Sequence, residues 1–429
     1  MNYTETTEYL FSRLPMYSRV GAAAYKADLG NIREICEAIG NPHTTYKTIH
    51  LAGTNGKGSC SHMLAAILQV AGYRVGLHTS PHLHDFRERI RVNGEMVSEE
   101  FVVRFTETIK PQIDRLDPSF FEISVAMAFE YFREQEVDVA IIETGLGGRL
   151  DSTNIITPVL SVITNIGWDH MNLLGNTLEK IAGEKAGIIK AGVPVVIGET
   201  LTETRQVFEK QAAALSSPVI FASERYEVME WTWKGRHMDV QVATKNKTDH
   251  LHIETDLPGI YQLKNLVTVL ASVDQLRRDG WIITDGHLRQ ALQQVKKLTG
   301  LRGRWDIIGQ DPLLVLDVAH NSQGLEQVLA QVEVTDHEQL HIVTGMVNDK
   351  EIGRLLAMLP LSAEYYFTQA QIPRAKPAAE LRAEGNAAGL KGEAYANVND
   401  AIHAAKEKAA DRDMILVCGS IFVVAEVSP

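Results

Sequence analysis

The chain has 429 residues, 45% of them hydrophobic and 22% charged, which is typical of a globular protein with two or three domains. Its formal net charge of −12 argues against nucleic acid or an anionic membrane as the main partner. The three widely separated cysteines exclude a disulfide framework and a cysteine-rich metal site. Without a signal-peptide pattern or a membrane-length apolar run, a cytoplasmic protein is expected.

The first 45 residues predict helix and loop, and a strand, a glycine-rich loop and a helix follow. The apolar run at 46–52 predicts the strand, and the loop is Gly-Thr-Asn-Gly-Lys-Gly-Ser at 53–59. In such a loop, backbone N–H groups face a phosphate, Lys57 supplies a cation and the Ser59 hydroxyl can bind Mg²⁺. The standard phosphate-loop spacing is not met, so a glycine-rich turn with a surface lysine is the alternative.

Strand and helix patterns alternate through the next 150 residues, which predicts a mostly parallel sheet. Further strands are predicted at 74–79, 137–143, 159–164 and 193–197, with helices near 98–116, 119–135 and 177–187. Alternating residues at 226–233 and 238–242 predict an antiparallel hairpin within the same domain.

Helices are predicted near 262–279 and 285–297, and the glycine-bearing stretch 299–303 is interpreted as a linker. Beyond it, a smaller α/β domain is predicted, with strands at 313–317, 340–345, 364–368 and 413–418. The predicted domains are therefore 1–298 and 299–429.

Three polar residues follow predicted strands of the first domain, namely Ser80, Glu143 and His170. Ligands of open parallel sheets bind beyond the carboxyl ends of the strands, so the three are candidates for one metal cluster. Each also has a structural alternative: a turn serine, a strand-end acid facing water and a structural histidine.

Other candidate ligand contacts are arginines and residues of the second domain. If 87–91 is extended, its three arginines share one face and form an anion contact or, equally, a solvated edge. Asp317 could accept hydrogen bonds from a ribose and His320 could contact phosphate or substrate, with a helix cap and a structural histidine as the equal alternative. Arg304 is a candidate phosphate contact.

Several of these motifs together resemble one family. The loop at 53–59 is similar to the phosphate-loop variant of the Mur ligase superfamily. Further segments resemble folylpolyglutamate synthase and dihydrofolate synthase in the order of that family, at 79–83, 88–90, 143–154, 169–170, 184–190, 317–321 and 418–422.

The resemblance implies a P-loop ATPase-type, mostly parallel sheet domain that binds ATP and folate, followed by a smaller Rossmann-like α/β domain for glutamate ligation. It implies ATP-dependent addition of L-glutamate to folates through an acyl phosphate, and leaves open addition to 7,8-dihydropteroate. The alternatives are another Mur-type amino-acid amide ligase and a non-ligase P-loop ATP-binding protein. Only 45 residues precede the first strand, which argues against the extra N-terminal domain of cell-wall Mur ligases.

The resemblance also implies the roles of individual residues. Catalytic roles fall to Lys57, Lys185, His320 and Asp317. ATP contacts fall to Gly53, Thr54, Asn55, Gly56, Lys57, Gly58, Ser59, Asn265, Arg304 and Asp317. Two Mg²⁺ ions are expected on Ser59, Ser80, Glu143, His170 and a carbamylated Lys185. Folate or substrate contacts fall to Pro81, His82, Arg89, Phe121, Glu122, Leu150 and Ser420. The expected partners are ATP, L-glutamate and reduced folate or dihydropteroate, with a monomeric enzyme.

Overall fold

The computed structural model describes residues 1–15, 21, 26, 28–245, 249–348 and 352–428. These residues form two compact units, Met1–Leu257 with Gln262–Leu301, and Pro258–Tyr261 with Arg302–Pro429. The sequence prediction puts the domain boundary after residue 298, and the third and last crossing of the chain between the units follows Leu301. Of the first 45 residues, 16–20, 22–25 and 27 lie outside the described part.

The first unit is built on an eight-stranded sheet with the order β4-β3-β2-β5-β1-β6-β7-β8. In the order of the sheet, the six strands β2, β5, β1, β6, β7 and β8 pair in parallel with their neighbours. Strands β3 and β4 continue the sheet beyond β2 with antiparallel pairing. The mostly parallel sheet is thus confirmed. The strands are β1 Lys47–Ala52, β2 Val75–His78, β3 Ile90–Val92, β4 Glu95–Met96, β5 Val139–Glu143, β6 Leu160–Ile163, β7 Val195–Ile197 and β8 Val219–Phe221.

Helices cover both faces of this sheet because its central strands are apolar on both sides. On β5, Val139 and Ile141 pack into one core while Ala140 and Ile142 pack into another. The helices are α1 Tyr3–Arg13, α2 Gly30–Ala38, α3 Lys57–Val70, α4 Glu99–Leu116, α5 Phe120–Glu134, α6 Met171–Leu174, α7 Leu178–Ala186, α8 Thr202–Ala214, α9 Gln262–Arg278, α10 Asp285–Leu292 and α11 Val295–Thr299.

The predicted hairpin belongs to a three-stranded antiparallel sheet, β9 Tyr226–Lys234, β10 His237–Thr244 and β11 His250–Thr255. Met238, Val240 and Ile253 are fully buried and join the core that contains α3 and α9. This three-stranded sheet is therefore part of the first unit.

The second unit has a six-stranded sheet in which all neighbouring pairs except β12–β13 are parallel. The order is β12-β13-β17-β14-β15-β16. The strands are β12 Asp306–Gln310, β13 Leu313–Leu316, β14 Leu340–Thr344, β15 Glu364–Phe367, β16 Lys391–Ala394 and β17 Met414–Cys418. The helices are α12 Ser322–Val334, α13 Ile352–Met358, α14 Ala378–Ala387, α15 Val398–Lys408 and α16 Ile421–Ala425. This confirms the second α/β fold.

Within the described ranges, no helix is both long and apolar enough to cross a membrane.

Candidate functional site

The phosphate loop, residues 53–59, lies between β1 and α3 and is packed too tightly for side chains at two glycines. A Cβ on Gly53 would lie 1.9 Å from the Thr164 hydroxyl oxygen. Gly56 has a φ of +82°, and its Cβ would lie 2.3 Å from the Asn265 side-chain oxygen. Glycine is therefore required at both positions.

The loop after β6 holds the phosphate loop in place. Thr54 donates from its backbone N–H to the Asn165 carbonyl at 3.1 Å, and Asn55 donates to the Asn165 side chain at 2.8 Å. The Thr54 hydroxyl accepts from the Gly167 N–H at 3.0 Å. Thr164 donates its hydroxyl to the Asn55 carbonyl at 2.6 Å. These bonds fix the backbone that would receive a phosphate.

Two lysine amines meet at one carbonyl of the loop. Lys57 donates to the Gly53 carbonyl oxygen at 2.9 Å and to that of Thr54 at 3.2 Å. Lys185, on α7, donates to the same Gly53 oxygen at 2.9 Å and is 4% exposed. Burial, and then the charge of Lys57, lowers the pKa of Lys185 to about 7. The Lys185 amine is thus neutral above neutral pH and is able to act as a nucleophile.

The loop after β5 packs against α7 and so fixes the position of Lys185. Arg149 donates its backbone N–H to the Glu184 carbonyl at 2.8 Å, and their side chains form an ion pair at 2.9 Å. Inside this loop, the buried Asp151 accepts from Leu146 N–H at 2.8 Å and from the Thr153 hydroxyl at 2.5 Å.

Ser80 and Glu143 lie together at the carboxyl ends of neighbouring strands β2 and β5. The Ser80 backbone N–H donates to the Glu143 carboxylate at 3.4 Å, and Glu143 is 4% exposed. His170 lies in the segment after β6, with a φ of +47° and its Nε2 3.7 Å from the Asp169 carboxylate. The structure therefore brings Ser80 and Glu143 into contact. His170 follows β6, which is separated from β5 in the sheet by β1.

A buried arginine and several aromatic rings adjoin these residues. Arg89 donates from Nε to His82 Nδ1 at 2.8 Å, and its guanidinium lies 5.3 Å from the Phe120 ring centre. Burial lowers the pKa of Arg89 to about 10 and that of His82 to about 3. The Phe121 ring packs on Gly145, whose Cβ would lie 2.5 Å from it. Of the other predicted folate contacts, Leu150 is half-buried and Pro81 is exposed.

In the second unit, Asp317 follows β13 and is almost completely buried. Its Oδ2 accepts from the Tyr261 hydroxyl at 2.6 Å and from the Trp305 N–H at 2.8 Å, and Oδ1 accepts from the Ala319 N–H at 2.9 Å. Burial raises the pKa of Asp317. A carboxylate accepts about four hydrogen bonds, so these three bonds from described residues leave one acceptor position for a ligand.

Arg304 and His320 belong to the same unit. The positive charge of the half-buried Arg304 acts on Asp317 and opposes the rise in its pKa. His320 is exposed, and its Nδ1 lies 3.0 Å from the Val318 carbonyl. Since a carbonyl only accepts, Nδ1 carries a hydrogen and donates it to the Val318 carbonyl.

Comparison with known proteins assigns these residues to a family. Residues 51–273 match the Mur ligase middle domain, and residues 303–421 match the Mur ligase glutamate ligase domain. A Bacillus subtilis dihydrofolate synthase/folylpolyglutamate synthase is 34% identical over 94% of each chain.

Two solved structures are similar over nearly the whole chain. Escherichia coli FolC in complex with DHPP and ADP has a TM-score of 0.85, 28% identity and coverage of 99% of this chain and 96% of its own. A folylpolyglutamate synthase complex with AMPPCP and folate also has a TM-score of 0.85 at 28% identity, with 99% and 98% coverage.

The chain belongs to the folylpolyglutamate synthase/dihydrofolate synthase family of Mur ligases. Members of this family are ATP-dependent ligases that join glutamate to folates, and this chain is such an enzyme. The family assignment excludes the alternative of a P-loop protein without ligase chemistry.

The residues expected to hold Mg²⁺ in this ligase fit that ion. Serine hydroxyls and the Glu143 carboxylate are hard oxygen donors, and His170 adds an imidazole. No group of three or more His, Cys, Asp or Glu side chains suited to a metal occurs in the described ranges. Proteins commonly hold Mg²⁺ with one or two carboxylates plus substrate phosphates and water.

The expectation of an extended arginine face was wrong. Residues 86–89 form a 3₁₀ helix, so the side chains at 87–91 do not alternate as in a strand. Arg87 pairs with Asp85 at 2.7 Å, Arg89 is buried, and Arg91 donates to a backbone carbonyl at 2.9 Å. Only Arg89 is directed towards the other predicted folate contacts.

Two predicted substrate contacts have local structural partners. Glu122 and Ser119 form a capping box at the start of α5, with the Ser119 hydroxyl 2.8 Å from the Glu122 carboxylate. Ser420 caps α16 by accepting from the Phe422 N–H at 3.2 Å. Their substrate roles remain predictions.

Gln262, at the start of α9, is a site residue that sequence reasoning did not single out. Its Nε2 donates to the Ser59 hydroxyl oxygen at 3.1 Å, and its Oε1 accepts from Asn265 at 2.8 Å. Gln262 is 1% exposed. Its position three residues before Asn265, hence on the same helix face, is the signal that could have identified it.

Proposed function

We propose that this ligase phosphorylates the carboxylate of a reduced folate or of 7,8-dihydropteroate with Mg·ATP and then joins it to L-glutamate. The observation that carries the proposal is the convergence of Lys57 and Lys185 on the Gly53 carbonyl of the phosphate loop. Related proteins named for both dihydrofolate and folylpolyglutamate synthesis support both acceptors.

The reaction has two steps. A carboxylate oxygen of the folate attacks the γ-phosphorus of ATP, the bond to the bridging oxygen breaks, and ADP leaves with the electron pair. The unprotonated amine of L-glutamate then attacks the acyl carbon, the carbon–oxygen bond to phosphate breaks, and the ammonium proton is lost. Phosphorylation is required because a carboxylate is a poor electrophile.

The phosphate loop has the role of holding and neutralising the ATP phosphates. The N–H groups of Thr54 and Asn55 are bonded to Asn165, so the loop N–H groups from Gly56 to Ser59 are the ones proposed to face the phosphates. Lys57 would neutralise the negative charge that develops between the γ-phosphoryl group and its acceptor. Asn265 adjoins Gly56 and contributes to the same nucleotide site. The bracing by the loop after β6 keeps these donors preorganised.

Two Mg²⁺ ions would be held by Ser59, Ser80, Glu143, His170 and a carbamylated Lys185, and they would neutralise phosphoryl oxygens during transfer. The pKa of Lys185, lowered to about 7, supports carbamylation because only the neutral amine reacts with CO₂. The neutral amine forms a nitrogen–carbon bond to CO₂ and releases one proton, which gives a carboxylate-like anion. Starting from the ammonium form of Lys185, two protons are released in all.

The second unit is assigned the remaining nucleotide contacts. Asp317 retains one acceptor position for a ribose hydroxyl, and Arg304 supplies a positive charge for phosphate. His320 is assigned to substrate or phosphate. We assign the folate to His82, Arg89 and Phe121, with Pro81, Glu122, Leu150 and Ser420 as further contacts.

The enzyme is proposed to act as a monomer. Among the described residues, the two most exposed large apolar side chains, Ile282 and Leu361, lie in different compact units. Size-exclusion chromatography with light scattering tests this, and a dimer at assay concentration contradicts it.

Phosphate release with Mg·ATP and L-glutamate is the direct test of the activity. The purified chain is assayed with dihydropteroate and with tetrahydrofolate, and products are identified by mass. Release that depends on glutamate with either acceptor supports the proposal, and the pattern shows whether the enzyme is bifunctional. Absence of release with both acceptors contradicts it.

A further inference from the structure

Gln262 is held between two residues of the proposed nucleotide site. It donates to the Ser59 hydroxyl oxygen and accepts from Asn265, and it does not itself belong to the phosphate loop. Ser59 and Gln262 are each 1% exposed, so neither bond competes with solvent. A buried amide that is bonded through both its nitrogen and its oxygen restrains the side chains at both ends.

The direction of the bond from Gln262 determines what Ser59 can do. A serine hydroxyl has one hydrogen and two lone pairs. The amide of Gln262 occupies one lone pair, which leaves the other lone pair and the hydrogen for a metal ion and a phosphate. Without Gln262, the Ser59 side chain would be free to rotate among its rotamers.

Tyr261, the residue before Gln262, restrains the side chain of Asp317 through a hydrogen bond in the same way. Its hydroxyl donates to Asp317 Oδ2 at 2.6 Å, and burial raises the pKa of this tyrosine well above its ordinary value. The phenol therefore stays protonated and remains a donor. The Asp317 carboxylate is thus held by the Tyr261 hydroxyl together with the backbone N–H groups of Trp305 and Ala319.

The peptide bond between Tyr261 and Gln262 joins the two compact units, because Tyr261 belongs to the second and Gln262 to the first. We infer that Tyr261 and Gln262 are paired positioning residues, which orient Asp317 and Ser59, respectively, for the nucleotide. This inference rests on the proposed function, which assigns Ser59 to Mg²⁺ and Asp317 to ATP.

The chain contains a matched control for each residue. Gln275 lies on the same helix, and its side-chain amide donates to the Asp279 carboxylate at 3.0 Å. Tyr226 donates to the Asp274 carboxylate at 2.6 Å, the same chemistry as Tyr261 but outside the proposed site. Gln275→Met and Tyr226→Phe therefore repeat the substitutions without touching Ser59 or Asp317.

Calorimetric titration of ADP with and without Mg²⁺ tests the inference on the intact chain. In Gln262→Met, affinity for Mg·ADP is expected to fall about tenfold, with a smaller loss for ADP alone, because Ser59 is the metal-facing residue. In Tyr261→Phe, both affinities should fall by the same factor. Gln275→Met and Tyr226→Phe should match the wild type.

Gln262→Glu provides a second variant if Gln262→Met does not fold. A carboxylate only accepts, so Ser59 must turn its hydrogen towards it, and the gain in affinity from Mg²⁺ should again shrink. The inference is overturned if either Gln262 variant keeps the full Mg²⁺-dependent gain, or if Tyr261→Phe binds ADP like Tyr226→Phe. Ser59→Ala distinguishes failure of the proposed function from failure of this inference. If Ser59→Ala keeps the Mg²⁺-dependent gain in ADP affinity, the proposed metal role of Ser59 is wrong. If Ser59→Ala loses the gain but the Gln262 variants keep it, the positioning role of Gln262 is wrong.

Discussion

Lys57 and Lys185 donate to the same oxygen, the carbonyl of Gly53, each at 2.9 Å. Lys57 comes from the helix after the phosphate loop and Lys185 from a helix more than a hundred residues further on. Two ammonium groups at one oxygen repel each other, and the more deeply buried one loses its proton more easily. Burial and the charge of Lys57 therefore lower the pKa of Lys185 to about 7, which prepares Lys185 to become a neutral nucleophile.

Lys57→Met is expected to lower kcat roughly a hundred- to thousand-fold, the usual effect of removing a group that stabilises transition-state charge. The fold should be retained, because within the described part of the chain the Lys57 amine donates to two carbonyls of its own loop and to no distant element. Phosphate release and thermal unfolding are the measurements. Lys264→Met is the control, since this exposed lysine pairs with Glu199. Near-normal turnover in Lys57→Met would contradict the phosphate-loop assignment.

Lys185→Ala is expected to be inactive and to be partly rescued by short carboxylic acids, which replace the carbamate. Because the pKa of Lys185 is lowered to about 7, the neutral amine predominates above that pH, and activity in CO₂-equilibrated buffer should rise with pH through this range. Carbon-13 NMR with labelled CO₂ should show a carbamate signal in the wild type that Lys185→Ala lacks. Full activity after thorough removal of CO₂, with no such signal, argues for a plain lysine.

Gly56→Ala should destabilise the nucleotide site, because the new Cβ would lie 2.3 Å from the Asn265 side chain at a φ of +82°. We expect a loss of about 1–3 kcal/mol in unfolding free energy and weaker ADP binding. Gly183→Ala, at an exposed helix position with open space around it, should instead gain about 0.5–1 kcal/mol. Urea unfolding compares the unfolding free energies of the two variants. Equal changes would show that the close contact at Gly56 does not destabilise the protein.

The sequence was sufficient to place the residues that come directly after strands. Ser80, Glu143 and the phosphate loop lie at strand ends because strand periodicity and the parallel connections are local properties. The order of the strands was not predictable in this way. The position of β5 between β1 and β2 depends on how the helices pack on both faces of the sheet. The residue pattern within a single strand does not predict that position.

Contacts between distant residues were also beyond the sequence. Gln262 bonds to Ser59 from 203 residues away, and Thr164 braces the phosphate loop from 109 residues away. The arginine stretch failed for a different reason. Its charge pattern was compatible with a strand, but the capping box of Asp85 and Glu88 stabilises a 3₁₀ turn instead.

His50→Gln should make the protein less sensitive to acid. His50 is completely buried beside the Thr153 hydroxyl at 2.8 Å, and burial lowers its pKa from 6.5 to about 3. Between these values the unfolded chain binds a proton that the native state does not, so stability falls as pH decreases below 6.5. From about pH 7.5 to pH 5, one such histidine costs roughly 2 kcal/mol.

Urea unfolding at the two pH values measures this difference. The decrease in unfolding free energy should be smaller in His50→Gln than in the wild type, whereas His403→Gln, at a histidine whose side chain is 77% exposed, should leave it unchanged. An identical pH dependence in all three proteins would show that His50 does not titrate on unfolding.

Arg89→Lys should impair use of the folate more than use of ATP. Arg89 donates from Nε to His82 and lies over the Phe120 ring, two contacts that the point charge of a lysine cannot reproduce together. We expect the KM for the folate acceptor to rise about tenfold, with the KM for ATP changing less than about twofold. Arg87→Lys is the matched control, since Arg87 lies in the same 3₁₀ turn but pairs with Asp85. If both variants change the two KM values alike, Arg89 supports the turn rather than the substrate.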